Sequence, residues 1–230
     1  MPALSQAKAQ ARRIQCVNHL RQMGLALRMY VGDYHKYPFY LARETNRGMW
    51  FKWQHALEPY YVPRWWLSRS YHCPSYEGPI YDSAALASSS SYAFNRFGTG
   101  TGGNPQFATS LGLGDIRSDY APIEAIAESR VKVPSEMFAL CDSRVFRYQD
   151  SAASPFIAAY DYADLQFGFT VFGREINSPR HRKGFNVGFC DGHVSLIKNA
   201  DFIDRRRTAR NWNNDHEPHP ETWYLLLPPY

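Results

Sequence analysis

The stretch that decides the fold is 181-HRKGFNVGFCDGHVSLI-197. It holds an Asp-Gly pair between two runs of alternating apolar residues, which is the strongest short-range signal for a β-hairpin because both residues of the tight turn need positive φ. With Asp191 and Gly192 as a two-residue turn, Phe189 is predicted to pair with Val194. In that register the apolar residues of both strands, except Cys190 and Ile197, share one buried face of a sheet.

Two histidines lie in the same stretch, so a metal or catalytic cluster is the alternative interpretation. A metal site or a hydrolase would need His181, Asp191 and His193 to converge on one point. Asp191 occupies a turn position, where its side chain normally bonds local backbone. His181 lies roughly 30 Å along the chain from that turn, at about 3.3 Å per strand residue. We therefore favour a structural hairpin, and we expect no catalytic residue and no metal site.

The N-terminal residues 1–35 are predicted to form one long helix, because Ala, Gln, Lys and Arg dominate them. An apolar stripe with helical spacing runs through the second half of this helix. Its members are Cys16, Leu20, Met23, Leu27, Tyr30, Val31 and Tyr34. Upstream of Cys16 the stripe dissolves into alanines. The second half is therefore expected to pack on a domain, and the first half to project from it.

The rest of the chain divides into a head and a tail. Residues 36–200 contain aromatic-rich and Ser/Gly-rich loops, with strand signals at 131–142, at 167–172 and in the hairpin. These signals predict an α+β fold in which the long N-terminal helix packs on an antiparallel sheet with large loop insertions. Residues 201–230 are predicted to wrap the head in extended form, with Trp212 among the anchors.

Composition and charge limit the classes of function. The chain has 230 residues, of which 44% are hydrophobic and 16% aromatic, so a sizeable core is expected. The net charge of +5 is modest and acidic residues are interspersed with the basic ones, which argues against a nucleic-acid partner. There is no apolar run of the ~20 residues that span a bilayer and no visible signal peptide. We expect this form of the chain to be soluble.

The hairpin also carries a family resemblance. His181, nine further residues and the pair Asp191-Gly192 spell H-x9-D-G, which resembles the H-x9-DG domain of prepilin-like proteins, relatives of type II secretion pseudopilins and type IV pilins. The resemblance covers most of the chain. Its other similar features are 2-PALSQAKAQARRIQCVNHLRQMGLALRMY-30, the Cys-Pro-Ser at 73–75, 91-SYAFN-95, 133-VPSEMFALCDS-143 and 212-WNNDHEPHPETW-223.

This resemblance implies a role in assembly. Members of the family begin with a short leader, a peptidase site and a hydrophobic helix that continues into a segment like Pro2–Arg13, so Met1 is expected to begin a truncated chain. The full protein is expected to be anchored in the inner membrane, with its head in the periplasm or cell envelope. Its expected function is that of a non-enzymatic, pseudopilin-like subunit, with other pilin-like subunits and the secretion machinery as partners.

The resemblance raises the question of whether this chain binds calcium. Known pseudopilins often bind calcium in a loop near the end of the sheet. No EF-hand spacing occurs in this sequence, and no calcium ligand can be carried over to a numbered position. The expectation is therefore no cofactor, with calcium open as a family property.

The four cysteines divide into two pairs. Cys16 lies on the packing stripe and Cys73 in the family-like Cys-Pro-Ser loop, so the resemblance suggests a disulfide that ties helix to loop. Cys141 and Cys190 each precede an Asp near the end of a predicted strand, which indicates that these two strands are neighbours. A second disulfide and two free buried thiols are both open for this pair. No C-x-x-C motif occurs, which argues against a ribbon-type zinc site.

His181 is predicted to fix the start of the hairpin by hydrogen-bonding a neighbouring strand or loop, with Asp142 as the candidate partner. A pH-sensing or ligand-binding role for this histidine is the alternative.

A carbohydrate-binding head is the second class of function. Exposed, coplanar tryptophans could stack on sugar rings, and a filament could present them to polysaccharide. The candidates are Trp50, Trp53, Trp65 and Trp66.

Overall fold

The structure is a computed structural model that describes residues 2–43, 50–80, 90–99, 111–114, 116–117, 124–148, 156–159, 162–163, 173–176, 180–181 and 184–225. In chain order its helices and strands are α1 (Pro2–Tyr34), β1 (Leu41–Arg43), β2 (Trp50–Lys52), α2 (Trp53–Leu57), β3 (Tyr92–Asn95), β4 (Ile116–Arg117), β5 (Phe138–Asp142), β6 (Val145–Tyr148), β7 (Phe156–Ala159), β8 (Tyr162–Ala163), β9 (Gly173–Ile176), β10 (Gly184–Phe189), β11 (Val194–Lys198), α3 (Asn199–Phe202) and α4 (Arg205–Trp212). Short 3-10 helices span Glu58–Tyr60, Trp65–Leu67, Arg69–Tyr71, Glu128–Arg130 and Pro220–Leu225. The predicted α+β class is confirmed.

A five-stranded sheet in the order β11-β10-β5-β3-β8 forms the centre of the fold. Its first four strands are antiparallel to their neighbours, and the short β8 pairs in parallel with β3. In the middle of the sheet Val187 pairs with Cys141, and Cys141 pairs with Ala93. Two three-stranded sheets, β2-β1-β4 and β7-β6-β9, accompany it.

Both faces of the central strands are buried, because helices cover the sheet on each side. On one face, Leu20, Met23 and Leu27 of α1 share a core with Tyr92 and Phe94 of β3. The opposite face packs against α3 and α4. The core residues on that face are Ala93, Phe138, Cys141, Phe185, Val187, Phe189, Phe202, Ala209 and Trp212. Every residue of β5 and β10 is consequently buried.

The predicted hairpin exists, but the predicted register is wrong by one residue. Phe189 N donates to His193 O at 2.9 Å and Gly192 N donates to Phe189 O at 2.9 Å, so the turn has three residues. Gly192 has a φ of 95°, as expected for the last residue of a three-residue turn. Gly188, rather than Phe189, pairs with Val194.

The shifted register also corrects the prediction that Val194 shares one face with Phe185, Val187 and Phe189. A slip of one residue turns each side chain of a strand to the other face. Val194 packs against the core under α1, whereas Phe185, Val187 and Phe189 belong to the core on the opposite side. Apolar side chains on either face of the hairpin can be buried because the sheet has a core on both faces.

Helix α1 confirms the prediction of a packed half and a projecting half. Residues 3–15 are exposed or half-buried, and full burial begins at Cys16. The predicted stripe is buried up to Val31 except for the half-buried Tyr30. Tyr34 is 53% exposed and contacts the ring of Tyr30 at the end of the helix, so its predicted place in the stripe is wrong.

The C-terminal segment is not the extended wrap that was predicted, because it contains α4 and a 3-10 helix. Asp204 caps α4 by accepting a hydrogen bond from Arg206 N at 3.0 Å. Thr208, Ala209 and Trp212 form the buried side of α4. Because arginines occupy most other positions of α4, its short amphipathic pattern is hard to recognise in the sequence. Trp212 does anchor the segment, at 1% exposure.

The aromatic-rich part of the head contains regular structure. Residues 51–60 comprise the last two residues of β2, then α2 and a 3-10 helix. The strand expected at 167–172 lies outside the described residues.

Candidate functional site

The first half of the H-x9-D-G motif lies between α1 and the sheet. His181 is 3% exposed, and its backbone exchanges two hydrogen bonds with Gly184 at the start of β10. Its Nε2 lies 3.3 Å from Cys73 Sγ and 3.6 Å from Asp142 Oδ2. The predicted partner Asp142 is therefore adjacent, but at ion-pair rather than hydrogen-bond distance.

A disulfide joins Cys73 to Cys16 of α1, with the two Cα atoms 4.9 Å apart. This is the pairing that the family resemblance suggested. Because Cys73 also contacts His181, the helix is connected to the start of β10 through one buried cluster. The disulfide closes a sequence separation of 57 residues.

The other two cysteines are free and buried, so the second disulfide is not formed. Their strands, β5 and β10, are neighbours as predicted. Cys141 nevertheless faces the core beneath α4, whereas Cys190 faces the core beneath α1. The two thiols lie on opposite faces of the sheet, which is why they do not pair.

Buried polar groups surround His181. Asp142 Oδ2 accepts a hydrogen bond from Asn186 N at 2.7 Å, and Arg180 Nη2 lies 3.6 Å from Asp142 Oδ1. Arg180 also donates to the carbonyl oxygens of Ser143 and Ser91, at 2.8 and 2.9 Å. Burial lowers the pKa of His181, although the Asp142 carboxylate acts in the opposite direction. The neutral imidazole is therefore favoured at this position.

The second half of the motif contacts α1 about three turns further along. Arg28 Nη1 donates to Asp191 O at 3.0 Å. A Cβ added to Gly24 would lie 3.5 Å from Gly192 Cα, so the helix and the turn approach closely. The Asp191 carboxylate accepts a hydrogen bond from His193 N at 3.0 Å, the local bonding expected of a turn aspartate. Both halves of the motif thus fasten α1 to the hairpin.

The three residues of the hydrolase hypothesis do not meet. His181 lies beside the disulfide of Cys16, and Asp191 lies beside Arg28. Twelve helical residues separate those two points on α1, or about 18 Å at 1.5 Å per residue. His193 and Asp191 contact each other at the exposed end of the hairpin, Nδ1 to Oδ1 2.7 Å apart. A catalytic or metal site built on these three residues is therefore excluded.

Three of the four tryptophans proposed for sugar binding are in the core. Trp53 and Trp65 are 0% exposed and Trp66 is 2% exposed. Trp53 stacks on Phe94 with ring centroids 5.6 Å apart. The predicted stacking role of these three side chains is wrong, because they form part of the core beneath α1. The side chain of Trp50 lies outside the described part of the structure.

An apolar surface that was not predicted follows the outer side of α1. Its large members are Leu4, Ile14, Leu25 and Met29, exposed by 70%, 51%, 60% and 48%. At 100° per residue these four positions fall within about 80° of one another, opposite the buried stripe. We call them the outer stripe. The sequence contains these four apolar residues on one face of the predicted helix, but the sequence analysis considered only the series that proved to be buried.

The comparisons with known proteins cover one part of the chain. A family model described as a protein of unknown function (DUF1559) matches residues 5–62. The match spans 58 of the 230 residues, including most of α1, and ends well before the hairpin. No curated protein and no solved structure matches the chain.

None of the helices in the described ranges is long and apolar enough to cross a membrane. Calcium binding, which the family resemblance suggested, stays a prediction because no residue was assigned as a calcium ligand.

Proposed function

We propose that this chain is a non-enzymatic, pilin-like subunit that assembles into a filament through the outer side of α1. The observation that carries the proposal is the outer stripe, four large apolar side chains on the face of α1 that points away from the head. Folding of the head buries the opposite face and gives no reason for a second apolar face. Large apolar side chains that recur in exposed positions along one face of a helix are typical of helices that pack against a partner.

Burial of the outer stripe alone is expected to give only weak association, so other contacts in the assembly must contribute to binding. Complete burial of a large apolar side chain contributes roughly 1.5–3 kcal/mol. Association of two proteins costs roughly 4–15 kcal/mol in lost freedom and ordering. Four such side chains approximately offset that cost. The outer stripe on its own would therefore support only weak association, and a membrane anchor that concentrates the subunits would complement it.

The H-x9-D-G motif supports the same function in a different way. His181 with the disulfide, and the Asp191-Gly192 turn with Arg28, hold α1 against the sheet at two separated points. A helix held twice can neither rotate nor slide easily, so the outer stripe keeps facing away from the head. The motif is a positioning device in this proposal and takes no part in catalysis.

Localisation and partners follow as parts of the proposal. A disulfide is retained in oxidising compartments, which fits a head in the periplasm or cell envelope. The partial DUF1559 match and the family resemblance support an inner-membrane anchor preceding α1. The proposed partners are other pilin-like subunits of a type II secretion or pilus-like filament.

The experiment places a charge on the outer stripe of the full-length protein in its own cells. Leu25→Glu and Ile14→Glu are expected to remove the subunit from filaments that are sheared from the cell envelope and sedimented, because a buried unpaired carboxylate opposes assembly. Gln6→Glu is the matched control, since Gln6 is exposed on the projecting half of α1 and lies outside the stripe. It should assemble as the wild type does.

The same three substitutions should leave the folded head intact. Surface substitutions usually change the free energy of unfolding by less than about 0.5 kcal/mol, which urea titration of the purified chain can measure. Normal filament incorporation of both Leu25→Glu and Ile14→Glu would refute the proposed interface.

A further inference from the structure

Three side chains with metal-binding donor atoms converge where α1 meets the sheet, and the Asp142 carboxylate lies beside one of them, His181. Sγ of Cys16, Sγ of Cys73 and a ring nitrogen of His181 all lie within 4.8 Å of one another. Nε2 of His181 is 3.3 Å from Cys73 Sγ and 3.6 Å from Asp142 Oδ2. The donors of a tetrahedral zinc site lie about 3.3–3.8 Å apart, given Zn–S bonds of ~2.3 Å and Zn–N or Zn–O bonds of ~2.0–2.1 Å. The two distances from His181 Nε2, to Cys73 Sγ and to Asp142 Oδ2, fall within that range.

The surroundings of this cluster favour a bound cation. All four side chains are more than nine-tenths buried. Asp142 Oδ1 is inaccessible to solvent and has no hydrogen-bond partner, so a carboxylate oxygen retains free lone pairs. Two thiolates and one carboxylate around Zn²⁺ would carry a net charge of −1, which the Arg180 guanidinium 3.6 Å from Asp142 offsets.

We propose that the chain has a second, reduced state in which Cys16, Cys73, His181 and Asp142 bind one zinc ion. A dithiol reductant supplies two electrons and two protons, so that the S–S bond breaks, two S–H bonds form and the dithiol becomes its cyclic disulfide. Zn²⁺ then binds both sulfurs as thiolates, and the two thiol protons pass to solvent. The disulfide and the zinc site exclude each other because they use the same two sulfur atoms.

A cleft reaches the His181 side of the cluster from solvent. It has a volume of about 280 Å³ and lies between the projecting half of α1 and the loop at Pro74 and Ser75, with His181 and Arg180 in its lining. A metal ion thus has a route to the buried imidazole of His181. Zinc binding at this site does not depend on the proposed filament function.

The test uses the wild-type chain without oxygen. The chain is reduced with dithiothreitol, freed of reductant by gel filtration and mixed with Zn²⁺, and the bound metal is measured after a second gel filtration. We expect one zinc per reduced chain and at least tenfold less in the disulfide form. Co²⁺ in place of zinc should give thiolate-to-cobalt charge-transfer absorption and the visible bands of a tetrahedral site. If reduction unfolds the chain, refolding on zinc addition also supports the proposal.

Variants separate the proposed ligands from other metal-binding groups. His181→Gln and Asp142→Asn should each weaken zinc binding at least ~10-fold, the smallest effect expected even for residues that only support ligands. His193→Gln is the matched control, because that imidazole is exposed at the far end of the hairpin. Replacing Cys141 and Cys190 by Ala removes the two free thiols and should leave the zinc stoichiometry unchanged.

Two results would overturn the proposal. One is a reduced wild-type chain, folded or unfolded, that retains no more zinc than the disulfide form. The other is loss of the zinc from the variant without the two free thiols, which would place the ion at those cysteines instead.

Discussion

At the scale of single residues, the buried histidines show how strongly the core selects one protonation state. His72 is 2% exposed, with Nε2 2.8 Å from Trp66 O and Nδ1 accepting a hydrogen bond from Ser91 N at 3.1 Å. One nitrogen donates and the other accepts, which only the neutral ring can do. Burial lowers the pKa of His72 to about 4. The pKa of His181 is lowered for the same reason.

These shifts predict that the free energy of unfolding falls as the pH is lowered from about 6.5 towards 4. In that window the unfolded chain, with an ordinary histidine pKa of 6.5, binds more protons than the folded chain. Stability from neutral His72 is fully present above pH 6.5, and roughly 3 kcal/mol of it is lost as the pH falls to about 4. Urea unfolding at a series of pH values measures the loss.

The variant His72→Gln should show a shallower dependence on pH, because it removes the group that titrates only in the unfolded chain. The exposed His193→Gln is the control and should keep the wild-type slope. Identical slopes for the wild type and His72→Gln would contradict this assignment.

At the scale of elements, α1 has two opposite apolar faces, and the disulfide ties the buried one to the head. Cys16 begins the buried stripe, and its bond to Cys73 closes a sequence separation of 57 residues. Closing a loop of this length in the unfolded chain corresponds to a stabilisation of roughly 4 kcal/mol. The docking of α1 should therefore depend strongly on the oxidation state of this pair.

We predict that a dithiol reductant with a metal chelator lowers the free energy of unfolding of the wild-type chain by roughly 4 kcal/mol. The chelator keeps zinc from replacing the disulfide. The control is a variant in which Cys16 and Cys73 are both replaced by Ser, whose denaturant midpoint should not respond to the reductant. A wild-type midpoint that is equally insensitive would show that the disulfide contributes little.

At the scale of the whole molecule, the central sheet couples its two cores, because β3 and β5 contribute side chains to both. The C-terminal helices α3 and α4 are accordingly an integral part of the domain. Trp212 packs against Phe138 and Phe202, with ring centroids 5.3 and 5.1 Å apart. Loss of this contact should weaken the entire domain.

Trp212→Ala is predicted to lower the free energy of unfolding by roughly 3–5 kcal/mol, as expected when a large buried aromatic side chain is removed. The transition should stay single and cooperative when followed by near- and far-ultraviolet circular dichroism. Ile203→Ala, at an exposed position just before α4, is the matched control and should change stability by less than about 0.5 kcal/mol. Separate transitions for the two signals would show that the C-terminal helices unfold alone.

Features with a local physical cause could be predicted from the sequence. Helix propensity and the stripe from Cys16 to Val31 indicated a long helix with a packed half and a projecting half. The Asp-Gly pair indicated the hairpin, and the Cys-Asp context shared by Cys141 and Cys190 indicated that β10 lies beside β5. The role of Asp191 in the turn followed from the bonding habits of aspartate. In each case neighbouring residues along the chain contain the signal.

Other features were decided only by tertiary structure, because they depend on what packs against each face. The sheet acquired a second core from α3 and α4, and this permitted a three-residue turn and placed Cys141 and Cys190 on opposite sides. Burial of Trp53, Trp65 and Trp66 beneath α1 removed their sugar-binding role. The cluster of Cys16, Cys73, Asp142 and His181 brings together positions up to 165 residues apart in the sequence, and packing alone makes them neighbours.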